Sequence, residues 1–262
     1  MATNLTAKIS PSSIGDLSCA KRFYVLRVLK QWPPRDPLSF ASFSLAFHDL
    51  VGRVYDTANG PAPNLTHLDT WSRQAFKKHR YANEEAREED RARCLRMVRG
   101  YVTQDDIEDA EGTICTENFL EFDFNHNGEL LFVLSGRLDR ILVRALEPDV
   151  LIVRDYKLSR PKVDLESAYV TLLLAKLAYP GYKTYRAEFD FVDEGGRVDR
   201  EIVTVADIKG MHKAVMERAR RVILNPEKPA EPGERCQFCP LKPTCQPNLS
   251  AAINVSANIF DE

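Results

Sequence analysis

At 262 residues, with 44% hydrophobic and 28% charged side chains, the chain can bury a substantial core and fits one large globular domain. A net charge of −2 excludes a uniformly basic nucleic-acid coat, so any phosphate-binding surface has to be local. The opening MATNLTAKISPSS has no apolar stretch of the kind a leader carries, and no apolar run approaches the roughly 18 residues of a membrane span. The chain therefore reads as cytosolic and free of membrane contact, its six cysteines free or metal-bound rather than disulfide-paired.

In chain order, residues 10–30 predict a short basic helix that carries Cys19, capped by Ser12 or Ser13. The breaker QWPPRDP separates it from a second helix, roughly Leu38–Thr57, with Phe40, Phe43, Phe47, Leu50, Val51 and Val54 as its buried stripe and His48 on the border. Residues 68–102 predict one or two long charged helices. Their acid and base mixture reads as a solvated face, although the basic front of Arg73, Lys77, Lys78, His79 and Arg80 is also suited to lie along phosphate. Strand character begins near Thr113: ICTENFLEFDF, the turn NHNGE, and LLFVLS leading into GRLDRI. Glu117 and Glu121 precede that last segment on a neighbouring strand, where either can approach it. Cys94 and Cys115 have no partner spacing and read as buried, inert thiols.

Gly136–Ser159 reads as a β-hairpin turning at Glu147-Pro148-Asp149. Asp155 and Lys157 lie two apart on its second strand and so share a face, while Asp139 interrupts the first strand with a charge. Two carboxylates and a lysine at one end of an apolar hairpin suit a divalent-metal site; a solvated edge-strand ion pair is the alternative. An Asp164-capped helix through Ala178, a hairpin of Tyr185–Val192 with Arg200–Val205 joined by DEGGR, and an amphipathic helix over Ala206–Leu224 complete a sheet flanked by helices. The proline-rich remainder holds Cys236, Cys239 and Cys245 as C-x2-C-x5-C, a spacing that points to a soft metal, with Cys19 the best fourth ligand. Structural zinc and an iron–sulfur cluster both remain open on spacing. His48 by itself reads as a packing residue sooner than as a ligand.

The order of His48, GRLDRI with Asp139, and VRDYKLS with Asp155 and Lys157 resembles the PD-(D/E)XK nuclease superfamily in its RecB-like branch, over about Ser10 to Gln246. The cysteine set resembles the iron–sulfur subset of that branch, which includes CRISPR adaptation nucleases and the nuclease domains of AddB-type proteins. The resemblance implies an α/β fold with a restriction-endonuclease-like central mixed sheet. One nuclease domain would span 1–262, with a cluster helix at 10–35, a helical region at 36–112, the core at 113–224 and a cluster loop at 225–250. It further implies Mg²⁺ or Mn²⁺ held by His48, Asp139, Asp155 and the Tyr156 backbone carbonyl, with Lys157 handling the attacking water. Cys19, Cys236, Cys239 and Cys245 would hold a [4Fe–4S] cluster joining the N- and C-terminal segments. The implied activity is a metal-dependent DNA nuclease, an exonuclease on single strands or DNA ends, serving DNA repair, recombination or CRISPR adaptation. A helicase or CRISPR adaptation proteins are the implied partners, since no Gly-x4-Gly-Lys-Ser/Thr segment occurs.

Two departures motivate other readings. Ser44 stands where many relatives carry glycine, and the helix LESAYVTLLLAKLAYPG has no glutamine ahead of Tyr169 to match the family's Q-x-x-x-Y pair. A catalytically weak or inactive nuclease-fold scaffold that binds DNA inside a larger complex is therefore the second reading, and a zinc-stabilised protein of unrelated function the third.

Overall fold

The computed structural model describes residues 7–32, 41–77, 81–105, 107–158, 163–205, 208–233, 236–237, 239–243 and 245. Its centre is a long antiparallel hairpin, β2 (Thr113–His126) and β3 (Glu129–Leu142), paired along nearly their whole length. Asn127 and Gly128, both at positive φ, make the turn that NHNGE predicts. From β3 the sheet continues through β4 (Val150–Lys157), β5 (Thr184–Val192) and β6 (Val198–Thr204), with β4 and β5 parallel and the other pairs antiparallel. The parallel β4–β5 step needs a crossover, and α6 (Leu165–Ala178) supplies it, its N-cap Asp164 accepting from the N–H of Glu166. A two-residue strand β1 (Lys8–Ile9) adds to β3 in parallel at Val133 and Leu134, a pairing too short to show in the sequence pattern.

Two apolar layers sandwich the sheet. On one side Ile9, Ile14, Leu17 and Phe23 pack with the almost wholly apolar α6 and with Val215, Ala219 and Val222 of α7 (Ile208–Leu224). On the other, α2 (Ala41–Tyr55), α3 (Leu68–Lys77) and α4 (Glu84–Gln104) bury Phe43, Phe47, Leu50, Phe76, Val98 and Tyr101 against Tyr156 and Val192. This is the mixed sheet flanked by helices that the sequence predicts, and the charged stretch resolves into two helices. Leu38 and Phe40 of the predicted second helix lie outside the described residues, as do Lys78, His79 and Arg80. Arg73 pairs with Asp69 at 3.0 Å, as a solvated face would. Among the described residues no helix is long and apolar enough to cross a membrane.

The helix expected to carry Cys19 is not continuous. A 3-10 turn (Ile14–Ser18) stops at Cys19, whose φ of −143° and ψ of 113° are extended, before one turn of α1 (Ala20–Phe23) and a π turn (Tyr24–Val28). Ser13 does not cap it; its hydroxyl accepts from the N–H of Ser10 at 2.6 Å instead. The break presents Cys19 to the C-terminal segment, where Lys21 N–H donates to Pro229 O and Glu231 N–H donates to the Cys19 sulfur at 3.4 Å.

Beneath the hairpin lies a buried ionic network. Arg140 and Arg154 are fully buried. Arg154 meets Asp105 at 2.8 Å, Asp109 at 2.6 Å and Glu188 at 2.7 Å, while Arg140 meets Asp105 at 2.8 Å. Arg144 and Arg200 reach in from the rim to Asp109 and Asp190. Asp105 comes from the end of α4, Asp109 from α5 (Ile107–Glu111) and Asp190 from β5, and the facing of carboxylates and guanidinium groups offsets much of the desolvation, although Arg154 Nε and Glu188 Oε1 make no hydrogen bond.

Candidate active site

The β3–β4 ladder runs only from Leu142↔Ile152 to Arg140↔Arg154, and there the strands part. Continuing the register sets Asp139 opposite Asp155. Freed from the ladder on that side, the Tyr156 N–H donates to the Asp139 carboxylate, Oδ2, at 3.0 Å. His48 reaches the same oxygen from α2, Nδ1 to Oδ2 3.1 Å, its ring set edge-on to Tyr156 and Phe47. Lys157 Nζ lies 2.5 Å from Asp155 Oδ2, and both side chains are partly open to solvent. His48, Asp139, Asp155, Tyr156 and Lys157, from three separated segments, therefore meet at one point.

A third carboxylate joins them. Thr116 pairs with Arg140 and Asn118 with Leu138, which puts Glu117 across from Asp139. Its φ of +49° is left-handed, uncommon for glutamate in a strand. Gly52, one turn beyond His48 on α2, makes the room: a Cβ there would lie 2.6 Å from Glu117 Cγ. Thr116 donates to Gly52 O at 3.0 Å and pins strand to helix. One ligating atom each of His48, Glu117 and Asp139 lies within 4.8 Å of the others. Glu117 Oε1 is buried with no hydrogen-bond partner, although Oε2 lies 3.4 Å from Arg137. Glu121, the other expected approach, points elsewhere and pairs with Lys8 at 2.6 Å. Both share a strand face by parity, and only the backbone kink and Gly52 select Glu117.

The electrostatics call for a cation. Burial opposes charge on His48, but Asp139, and after it Glu117 and Asp155, hold its pKa up at about 9. Burial would raise Asp139, yet His48 and the Tyr156 N–H outweigh it and keep the carboxyl below its ordinary range. Burial and the neighbouring Asp139 lift Asp155 to about 6 against the pull of Lys157, and they raise Glu117 too. Three carboxylates thus crowd one basin, and a proton on His48 supplies charge that a metal ion would supply better. An imidazole, carboxylates and the orphaned Glu117 oxygen fit a hard or borderline divalent cation such as Mg²⁺ or Mn²⁺.

Away from this basin, Cys19, Cys236, Cys239 and Cys245 all line one cavity of 320 Å³ together with Lys21, Arg22 and Lys242. Gly233 N–H donates to the Cys236 sulfur at 3.4 Å, as Glu231 does to Cys19. Among the described residues no three of these sulfurs lie within 4.8 Å of one another, so they do not form a compact single-ion set. Cys94 is buried, its thiol pushed up to about 12 by burial, whereas Cys115 is half-buried and meets the Tyr179 hydroxyl at 3.4 Å. Tyr169 faces a separate cavity between α6 and α7, beside Glu166 and Arg218.

No curated protein matches this sequence. Among solved structures, SSO0001 aligns over 94% of this chain and 87% of its own at 13% identity, with a TM-score of 0.41. A "Putative exonuclease" from Eubacterium rectale aligns over 82% of this chain and 81% of its own at 12% identity, with a TM-score of 0.47. The model of the PD-(D/E)XK nuclease superfamily matches residues 8–246, a span that takes in His48, the parting strands and all four cavity cysteines. The chain belongs to the PD-(D/E)XK nuclease superfamily.

Proposed function

We propose that this nuclease is a divalent-metal-dependent deoxyribonuclease of the RecB-like branch, acting as an exonuclease on single strands or DNA ends. The observation that carries the metal dependence is the meeting of His48, Glu117 and Asp139 within 4.8 Å, where β3 and β4 part beside Asp155 and Lys157. Exonuclease action on DNA is what the RecB-like motif order implies.

His48, Asp139, Asp155 and the Tyr156 carbonyl, with Glu117 beside them, would hold Mg²⁺ or Mn²⁺, which would polarise the phosphoryl oxygen and make a water more acidic. Lys157 orients the attacking water and steadies the negative charge that builds on the phosphoryl oxygens. Asp155 keeps the lysine ammonium in place through their 2.5 Å contact. The Tyr156 N–H and His48 fix the Asp139 carboxylate, so the site is set before substrate arrives.

Cys19, Cys236, Cys239 and Cys245 hold a [4Fe–4S] cluster in this reading. A cavity ringed by four thiols, two of them accepting backbone N–H groups, suits a polynuclear cluster better than one zinc ion, which draws its sulfurs closer together. The cluster clasps the N-terminal segment to the C-terminal loop. Strand separation comes from a partner, a helicase or the proteins of CRISPR adaptation.

Protein purified without oxygen should digest end-labelled single-stranded DNA in Mg²⁺ or Mn²⁺ and not in EDTA. DNA binding without cleavage under both metals would select the scaffold reading instead.

A further inference from the structure

Beside Lys157 the C-terminal ends of the parallel strands β4 and β5 open into a second cleft, 320 Å³ in volume. That falls within the range of about 300–1,000 Å³ typical of small-molecule sites. Leu158, Phe191 and Val198 give it apolar walls, Lys157 and Arg197 supply its cations, and Asp193 and Asp199 complete the lining. Lys157 is shared with the catalytic basin, so an occupant of the cleft lies next to the phosphodiester under attack.

Pairing is the rule for arginines here. Arg53, Arg73, Arg93, Arg186 and Arg200 each sit on a carboxylate. Arg197 is exposed, and its guanidinium has no partner among the described residues. The acids nearby are spoken for. Asp193 accepts from the N–H groups of Gly195 and Arg197, both at 2.8 Å, which closes the β5–β6 turn, and Asp199 is also engaged. The cleft therefore offers a free cation to an anion.

The wall that carries Arg197 is held from behind. Gly100 of α4 packs so closely on the turn that a Cβ would collide with Gly195 O. Gln104 donates to Gly196 O at 2.8 Å, and Arg93 pairs with Glu194 at 2.6 Å. A braced slot with apolar walls and a free cation in its lining matches a nucleobase with its own phosphate.

We propose that this cleft receives one unstacked base of the substrate strand next to the cleaved bond, with Arg197 holding the adjoining phosphate. The assignment rests on the proposed nuclease function and deepens it: a base enters such a slot only when it has left its stack, so the strand is bound as a single strand at this point.

The test reads binding of fluorescein-labelled single-stranded DNA by anisotropy in EDTA, and separately its cleavage in Mg²⁺. Arg197→Glu, an exposed position checked by circular dichroism, should weaken binding by about fivefold or more, and Arg197→Lys should keep most of it. Val198→Trp, which fills the slot, should weaken binding similarly. An abasic residue walked past the cleaved bond should cost wild type the same factor at one position and cost Val198→Trp nothing further there. Unchanged binding by both Arg197→Glu and Val198→Trp would overturn the cleft assignment, as would an abasic penalty equal in wild type and Val198→Trp. Because binding is read without metal, an inactive wild type that still showed these effects would count against the nuclease reading and support the cleft.

Discussion

Replacing Arg154 by methionine keeps an unbranched apolar stem and removes the guanidinium charge from the middle of the ionic network. In the native chain Arg154 meets Asp105, Asp109 and Glu188 within 2.8 Å and lies 3.4 Å from Asp190, all fully or almost fully buried. The variant leaves these carboxylates short of one buried cation. Removing one partner of a buried ion pair costs about 3–5 kcal/mol. At roughly 2–4 °C per kcal/mol for a chain of this size, the melting temperature should fall by about 6–20 °C. The deficit should depend on pH. Burial would raise Asp109, but Arg144 and Arg154 outweigh it and hold the carboxyl below its ordinary value of 3.8. Its stabilising contribution is therefore complete above that value and is lost only as pH falls through the depressed folded value. Without Arg154 the stranded carboxylates take up protons at higher pH, so the variant's deficit should narrow from pH 7 towards pH 5. Urea unfolding followed by circular dichroism at both pH values measures it. A loss under about 1 kcal/mol at pH 7, or a deficit that does not change with pH, would refute the network as a matched set of buried charges.

The active basin carries two further expectations, and the cysteine cavity a third. Gly52→Ala should leave α2 intact, since alanine favours helix, but the new methyl group displaces Glu117, so Mn²⁺ affinity should fall by about tenfold. Calorimetric binding equal to wild type would show that Glu117 takes no part in holding the ion. With His48 held at about 9 and Asp155 at about 6 in the metal-free protein, Mn²⁺ has to displace protons, and its apparent affinity should rise between pH 6 and pH 9. Binding heats that do not change with the ionisation enthalpy of the buffer would count against that. Protein purified without oxygen should carry about four iron and four sulfide per chain, lost in Cys239→Ser; a colourless protein with stoichiometric zinc would replace the cluster by zinc.

Much of the scaffold is legible in the sequence because local chemistry and tertiary context agree. NHNGE and DEGGR turn where alternating strands need them, Asp164 caps α6, and the stripe of Phe43, Phe47, Leu50, Val51 and Val54 buries one face of α2. His48, Asp139, Asp155 and Lys157 were readable as a group through motif order, not through spacing. The ionic network was not readable. Arg140, Arg154, Glu188 and Asp190 look like the solvated side of their strands, and only the docking of α4 and α5, which bring Asp105 and Asp109, turns that side into interior. Cys19 misled for a related reason: its helical surroundings are interrupted by a contact with Glu231, more than two hundred residues away. Glu117 and Glu121 are equivalent by strand parity, and the deciding feature, a left-handed backbone beside a helical glycine, is a property of the folded chain.

The most direct test of the central claim is single-turnover hydrolysis of end-labelled single-stranded DNA by wild type and Lys157→Ala, with Mn²⁺ binding measured on the same preparations. Wild type should cleave in Mg²⁺ or Mn²⁺ and stop in EDTA, and Lys157→Ala should bind Mn²⁺ but cleave about a hundredfold more slowly or less. Undiminished cleavage by Lys157→Ala, or cleavage by wild type in EDTA, would contradict the assignment of the metal and the lysine at the parting of β3 and β4.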